Sequence, residues 1–376
     1  MKILYLCTYY HRAMIFRDAM NALEKLGNQL LAFNAVTKGA VVNSKYVSIM
    51  DEKVIHKECF SKYDRFLYPL KQYKFERAVI DETDIHSFDL IHSHTLFNGG
   101  WAAYRIYKKY KIPYVVTVRN TDLNDYLKLP FFRYIAKVII NNASGILFLS
   151  TSYRDAFFKK IYGKKLPQKL LQKTTVIPNG LENFWHQNRG NPKTVIHRPL
   201  KFLCVGKIDT NKNILCVLLA MEKLKLQGID SSLTVIGQIV DKNVYAILKE
   251  NKNVTLVNYL SKEELVKYYR ENDIFIMPSI FESFGRVYAE AMSQGLPVIY
   301  TQGQGFDGLF PEGCVGYHVP AREPQKIALV TKQILDNYSD ISSKCVEKST
   351  IFNWNDIAKK LQDFYQNVTL KTGEKK

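Results

Sequence analysis

Residues 273–297 read DIFIMPSIFESFGRVYAEAMSQGLP. The run Asp273–Met277, closed by Pro278, is short, apolar and rich in branched residues, the pattern of a buried strand. Helical periodicity then places Phe284, Val287, Tyr288, Ala291 and Met292 on one apolar face, and Gly295 with Pro297 stops the element. The stretch is therefore expected to be strand, loop and helix, with Glu282 at or just before the first turn and Glu290 about two turns on. At about 1.5 Å rise per residue the two carboxylates stand about 12 Å apart along the axis. The N–H groups of Ser283, Phe284 and Gly285 would lie free at the helix start, where the dipole and open donors favour an anion such as a diphosphate. Gly285 removes a side chain from that approach. On a plainer view, Glu282 is a dipole-favoured residue and Glu290 a solvated helix position.

Working outward, the same alternation fills the chain. Strand-like segments run over Lys2–Cys7, Gln29–Phe33, Phe88–His92, Tyr114–Val118, Gly145–Leu149 and Thr174–Ile177, with a helix through Asp18–Leu26. They begin again with Lys201–Val205, Ser232–Ile236, Val254–Val257, Asp273–Met277 and Pro297–Tyr300, with a helix from about Asn213 to Gln227. Continuous apolar strands alternating with helices imply parallel sheets covered on both faces, hence an α/β fold of two doubly wound, Rossmann-like domains. The expected boundaries are a first domain over 1–185, a polar linker over 186–199 (HQNRGNPKTVIHRP), a second domain over 200–350, a C-terminal amphipathic helix over 351–368 and a tail over 369–376, disordered at its charged end.

With 376 residues the chain is long enough for two cores. Its N-terminus lacks the layout of a signal peptide and no apolar run reaches about 20 residues, so a cytoplasmic location is expected. The six cysteines show no CxxC pair, and Cys7 and Cys204 read as strand core. Residues 1–200 carry 31 Lys and Arg against 15 Asp and Glu, whereas residues 201–376 carry 22 against 20, so the net positive charge belongs to the first half. Such asymmetry points to an anionic partner, a nucleic acid or a membrane surface. No nucleic-acid module is apparent, and the aromatics fall on strands and helices rather than on a stacking surface. From Arg154 to Lys173 seven basic residues face one acid, Asp155, interleaved with Phe157, Phe158, Ile161, Tyr162 and Leu170. Upstream, Tyr126–Ile140 mixes aromatics with Lys128, Arg133 and Lys137. Either these are a buried helix and a wet basic one, or they dock on anionic lipid.

The strand ending at Val205 runs into Gly206-Lys207 and on to Lys212. Open α/β sheets bind ligands beyond the carboxyl ends of their strands, and Gly206 lets backbone approach that edge, so Lys207 and Lys212 could meet a diphosphate opposite Gly285. No GxGxxG follows the first strand, and GxxxxGK[ST], HExxH and GxSxG are absent, which removes most support for dinucleotide, P-loop and the corresponding hydrolase chemistry. A retaining glycosidase needs carboxylates about 5–5.5 Å apart, too close for a helical Glu282/Glu290 pair.

Glu282 and Glu290 around Ser-Phe-Gly match the E-x7-E pattern, and the chain resembles retaining family-4 glycosyltransferases of the GT-B fold, bacterial enzymes of cell-surface polysaccharide type. DLIHSH (89–94), YVVTV (114–118), VIPNG (176–180), Val205-Gly206-Lys207 with Lys212, and the Phe352-Asn-Trp354 helix start resemble family blocks in the same order. The resemblance implies two domains facing across a cleft, the terminal helix crossing back to the first, and a nucleotide-sugar donor, UDP-linked, held by the second. It implies that Lys207 and Lys212 neutralise the diphosphate, that Gly206 and the backbone of Ser283, Phe284 and Gly285 lie against it, that Glu290 binds ribose hydroxyls and that Glu282 contacts the transferred sugar. Tyr259 and Leu260 would border the base. Fixed cations aimed at the leaving diphosphate make a metal or other cofactor unnecessary.

The first half departs from the family. Many relatives carry histidine where this chain has Arg119, which stays protonated and cannot act as a general base; Arg119 is expected to stabilise phosphate or an anionic acceptor. The first loop, TYYHR (8–12), has bulk where relatives often have a glycine pair, so it is assigned with His11 and Arg12 to the acceptor, beside His94, Asn120 and Asp122. His92 and His94, at a strand end, read equally as hydrogen-bonded structural residues. The expected activity is hexosyl transfer to a cell-surface polysaccharide or a polyprenyl-linked acceptor, at the inner face of the membrane. The alternatives are an epimerase of the same fold, a basic nucleic-acid- or anionic-surface-binding protein without catalysis, and a non-catalytic partner of another subunit.

Overall fold

A computed structural model of the chain describes residues 1–10, 14–40, 52–64, 67–163 and 167–373, with side chains through Leu370. The described residues form two compact units, Met1–Leu149 with Arg154–Gly180 and Trp354–Lys376, and Ser150–Tyr153 with Leu181–Asn353.

The first unit is built on seven parallel strands: β1 (Lys2–Cys7), β2 (Gln29–Thr37), β3 (Val54–Phe60), β4 (Leu90–Ser93), β5 (Tyr114–Thr117), β6 (Gly145–Phe148) and β7 (Thr174–Val176), in the order β3-β2-β1-β4-β5-β6-β7. The second has six: β8 (Leu200–Val205), β9 (Ser231–Ile236), β10 (Val254–Val257), β11 (Ile274–Ile276), β12 (Val298–Thr301) and β13 (Gly316–Val319), in the order β10-β9-β8-β11-β12-β13. Every strand pair is parallel. Central strands such as Ile3–Cys7 and Phe202–Val205 are buried residue after residue, which is why they read as unbroken apolar runs. In each sheet the strand order reverses direction at one place, between β1 and β4 and between β8 and β11. Parallel doubly wound sheets open a crevice at the carboxyl ends on either side of such a reversal.

The structure departs from the sequence expectations in five places. β3 is an edge strand with half-exposed or exposed His56, Lys57 and Glu58, and β13 is an edge strand with half-exposed Tyr317 and His318 at its centre, so neither gave an apolar run. The second unit begins at Leu181 rather than after 185, because Trp185 packs edge-on against Tyr269 with ring centroids 5.5 Å apart. The expected linker belongs to that unit too. Lys193 donates from its backbone to Ser342 Oγ at 2.7 Å, and its ammonium reaches the carbonyls of Tyr269 (3.0 Å), Arg270 (2.8 Å) and Asn272. It therefore caps the end of the helix Lys262–Glu271, whose last carbonyls have no helical partner. The terminal helix runs from Trp354 through Gly373, beyond the expected tail boundary, with Phe364 and Val368 packed on Gly145. Finally, the helix after β11 begins only at Arg286, so Glu282 precedes it and Glu290 alone lies on it.

Candidate active site

In the second unit the loops leaving β8 and β11 are stitched across the sheet reversal by one side chain. Asn211 accepts from Phe281 N–H at 3.1 Å and donates to Phe281 O at 3.0 Å, while its carbonyl accepts from Ile280 N–H at 2.8 Å. Asp209 caps the short turn Thr210–Lys212 by accepting from Lys212 N–H at 2.9 Å. Asn213, in the left-handed region at φ 56°, reaches Pro278 O at 3.0 Å. These bonds aim the Lys212 stem along Gly206, where a Cβ would come within 3.1 Å of Lys212 Cε.

The result is an ion pair. Lys212 Nζ lies 2.8 Å from Glu282 Oε2, with side chains only 17% and 15% exposed. Oε1 of the same carboxylate accepts from Ser283 N–H at 3.1 Å. The loop after β12 holds this segment from the other side: Gln304 Oε1 accepts from Glu282 N–H at 3.0 Å and Gly305 N–H donates to Glu282 O at 2.9 Å. A Cβ on Gly305 would lie 1.9 Å from Ser283 O, so the approach requires glycine. Gly285 sits at φ 73° just before the helix. Phe284 is buried, its ring packed against those of Phe306 and Phe352. Lys207 is exposed and forms no ion pair among the described residues.

Glu290 is not a solvated helix position. It is 9% exposed and accepts from the buried Tyr269 hydroxyl at 3.1 Å. Burial pushes its pKa above the ordinary carboxylate value, opposed by the charge of Arg286 one turn earlier and by the Tyr269 bond. Tyr259 is 62% exposed and Leu260 half-buried, after β10. The two glutamates thus differ sharply in environment, one paired with a cation and one buried beside a phenol. Among the described residues one further trio, Asp307, Glu312 and His318, brings possible metal-ligand atoms within 4.8 Å of one another. His318 Nδ1 lies 2.9 Å from Asp307 and 3.2 Å from Glu312, and this hydrogen-bonded cluster ties the β12 loop to β13.

In the first unit Arg119 N–H bonds to Asp122 at 2.8 Å and its Nε to His94 O at 3.3 Å, while its guanidinium lies 5.8 Å from the Phe16 ring centroid. Asp122 is fully buried and accepts also from Leu96 and Phe97 N–H, each at 3.0 Å. Burial pushes its pKa up to about 6 against those three bonds. The expectation that Asp122 touches an acceptor is thereby corrected: the carboxylate shapes the loop after β4. Asn120 accepts from Asn124 at 2.6 Å. His92 is spent on Tyr365 (2.6 Å) and Thr117 (2.7 Å) and is held neutral by burial. His94 is buried, stacked on His92 at 4.0 Å and edge-on to Tyr5 at 4.3 Å, with its pKa depressed by burial. A cavity of about 30 Å³ opens beside His94, Arg119 and Trp354. His11 and Arg12 lie outside the described residues, as do Lys164 and Lys165.

Two family models match the chain in tandem, Glycosyltransferase Family 4 over residues 16–182 and Glycosyl transferases group 1 over residues 188–351. The chain is a glycosyltransferase with the GT-B fold. It is 23% identical over 379 residues to an uncharacterized glycosyltransferase of Methanocaldococcus jannaschii, covering 98% of this chain and 99% of that one. It is 25% identical over 248 residues to alpha-monoglucosyldiacylglycerol synthase of Acholeplasma laidlawii, covering 61% and 62%. Among solved structures, HepE of Anabaena in complex with UDP and glucose superposes with a TM-score of 0.69 at 16% identity, covering 98% of this chain and 100% of that one. These matches support transfer and give no support to the epimerase alternative.

Several residues that organise the candidate site escaped the sequence reading. Asn211 and Gln304 act through backbone groups about 70 and 22 positions away, and nothing local marks them. The Gly303-Gln304-Gly305 run, one residue after β12, did carry a signal, glycines at a strand's carboxyl end, the place where backbone must pass close to another loop.

Proposed function

We propose that this glycosyltransferase moves a hexosyl group, with retention and without a metal ion, from a UDP-sugar to a cell-surface polysaccharide or lipid-linked acceptor. The observation that carries the donor half is the Lys212–Glu282 pair at the reversal between β8 and β11, with Lys207 exposed near it. Donor binding exchanges partners: the diphosphate takes Lys212, and the released Glu282 carboxylate accepts from hydroxyls of the sugar. Lys207 adds a second cation, and Ser283, freed from Glu282, joins Phe284 and Gly285 in offering N–H groups. Negative charge grows on the leaving diphosphate as the glycosyl bond breaks, so fixed donors aimed there lower the barrier most. Glu290 takes the ribose hydroxyls, and Tyr259 and Leu260 border the base. The presence of UDP and glucose in the Anabaena neighbour supports a UDP-hexose.

The acceptor falls to the first unit, where Arg119 meets its anionic part. Membrane attachment is proposed at the Tyr126–Ile140 segment rather than at Arg154–Lys173, the other basic segment expected to dock on anionic lipid. Phe157, Phe158, Ile161 and Leu170 are buried, and Lys160 and Lys173 donate to the carbonyls of Leu123, Asn141 and Ala143. By contrast Leu129, Phe131 and Tyr134 are 58%, 58% and 67% exposed, beside exposed Lys128 and Arg133. Apolar side chains ringed by cations suit the headgroup region of an anionic leaflet. The Acholeplasma relative is named for a diacylglycerol product, which supports a lipid-linked acceptor. Among the described residues no helix is long and apolar enough to cross a membrane. The test is a panel of nucleotide sugars scored by thermal shift and by slow hydrolysis. A UDP-hexose should stabilise the protein and be hydrolysed; a response confined to another nucleotide, or to none, refutes the donor assignment.

A further inference from the structure

A cavity of about 340 Å³ opens at the carboxyl ends of β1, β2 and β3 in the first unit, between Thr8 and Tyr9, Phe60 and Lys62, Lys71 and Asn98. No acidic side chain lines it among the described residues. Lys71 is placed there at a cost. It lies at the end of the first turn of the helix Tyr68–Glu82, where the dipole opposes a cation, and burial lowers its pKa. Its partners are neutral: Asn98 Oδ1 at 2.9 Å, which also accepts from Tyr126 at 2.8 Å, and the Phe60 ring at 5.1 Å. Asp64, the acid whose charge acts on Lys71, is already engaged by both contacts to Lys74 Nζ, 2.8 and 2.9 Å, and by Ser61 N–H at 2.8 Å. Lys62 forms no ion pair, and Thr8 Oγ1 is buried without a hydrogen-bond partner, among the described residues.

We propose that this cavity is a phosphate site, binding the phosphate group of the acceptor through Lys71, Lys62 and Thr8. The assignment to an acceptor rests on the transferase function proposed above; the anion site does not. Lys71, Lys62 and Thr8 line the cavity from different elements, the Lys62 ammonium resting over the Tyr63 ring at 5.2 Å and within a rotamer change of the cavity, and point-charge lysines with a hydroxyl suit the several acceptor oxygens of a phosphate. The volume leaves room for part of the group that carries the phosphate. The phosphate can belong to a soluble sugar phosphate or to a polyprenyl phosphate in a bilayer.

The test is calorimetric titration of the full chain, saturated with UDP so that the donor site is filled. Glucose 1-phosphate is one titrant, and phosphatidylcholine vesicles doped with farnesyl phosphate are the other. Whichever binds in a Lys71-dependent way identifies the source. Lys71→Met keeps the stem and removes the charge, and should weaken that titrant by about tenfold or more. Lys108→Gln, an equal charge change on an exposed helix position, should not. UDP affinity should be the same in all forms. If Lys71→Met fails to fold, Lys62→Gln and Thr8→Val should show the same loss. Binding of neither titrant, or binding indifferent to these substitutions, overturns the site. Failure of UDP itself to bind counts against the donor reading instead, and the titrations repeated without UDP still decide the phosphate site.

Discussion

Replacing either member of the Lys212–Glu282 pair breaks the same ion pair, yet the partner exchange proposed here makes the two substitutions act in opposite directions on nucleotide binding. Lys212→Met removes a cation from the diphosphate and should weaken UDP by about 1.5–3 kcal/mol, roughly ten- to more than a hundredfold, while leaving uridine nearly unchanged. Glu282→Gln instead removes the carboxylate that holds Lys212 before donor arrives. With both side chains more than four-fifths buried and the atoms 2.8 Å apart, the pair is screened less than an exposed one, and after the desolvation of both ions is set against that gain it is taken at about 1 kcal/mol, the upper range of exposed pairs. Freeing Lys212 should therefore tighten UDP by about fivefold, even as turnover falls because the sugar has lost its partner. Calorimetry with UDP and uridine on the two variants, beside kcat for donor hydrolysis, separates these effects. If Glu282→Gln weakens UDP as much as Lys212→Met, the pair is a fixed strut rather than an exchanging one. If Lys212→Met loses uridine and UDP equally, Lys212 does not meet the diphosphate.

Glu290 supplies a pH signature: its carboxyl titrates above its ordinary value in the folded chain, so the folded state holds the proton more tightly and loses stability as pH rises through the folded pKa. Glu290→Gln should flatten that decline, gaining thermal stability over wild type increasingly above about pH 4.5 while losing UDP affinity; a constant difference between pH 4 and 8 would contradict it. Lys193→Met strips the cap from three carbonyls and should destabilise by about 1–3 kcal/mol, seen as a lower denaturation midpoint with UDP binding retained. Transfer should survive excess chelator; loss of activity with recovery on adding a divalent ion would reject the metal-free pocket and direct attention to Asp307, Glu312 and His318. Phe131→Ser with Tyr134→Ser, or charge reversal at Lys128 and Arg133, should weaken co-sedimentation with anionic vesicles at low salt, whereas a wild type indifferent to lipid charge would remove the membrane face.

What was legible in the sequence was whatever depends on near neighbours. β1 and β8 announce themselves because a central parallel strand is buried on both faces and must be apolar throughout; β3, with one edge open, tolerates His56, Lys57 and Glu58 and looks like a loop. Charge was legible only as a sum. Lys160, Lys173 and Lys193 count as surplus cations in the composition, yet each is spent on backbone carbonyls, so the excess of the first half overstates the charge left for a partner. The segment of the exposed Phe131 and Tyr134 was legible as aromatic and basic, but not which of its faces is buried. Their helix has a true apolar face in Ile135, Ala136, Ile139 and Ile140, and periodicity does not say which of two apolar faces looks inward. The glutamates show the limit most directly. An eight-residue spacing looked like one helix carrying both, but the left-handed Gly285 ends helical geometry between them. One carboxylate is left in a loop under Lys212 and the other in a helix beneath Tyr269. Two residues of one type can do different chemistry only if their surroundings differ. Those surroundings come from residues 70 positions away in the first case and 21 in the second, joined only once the sheet is folded.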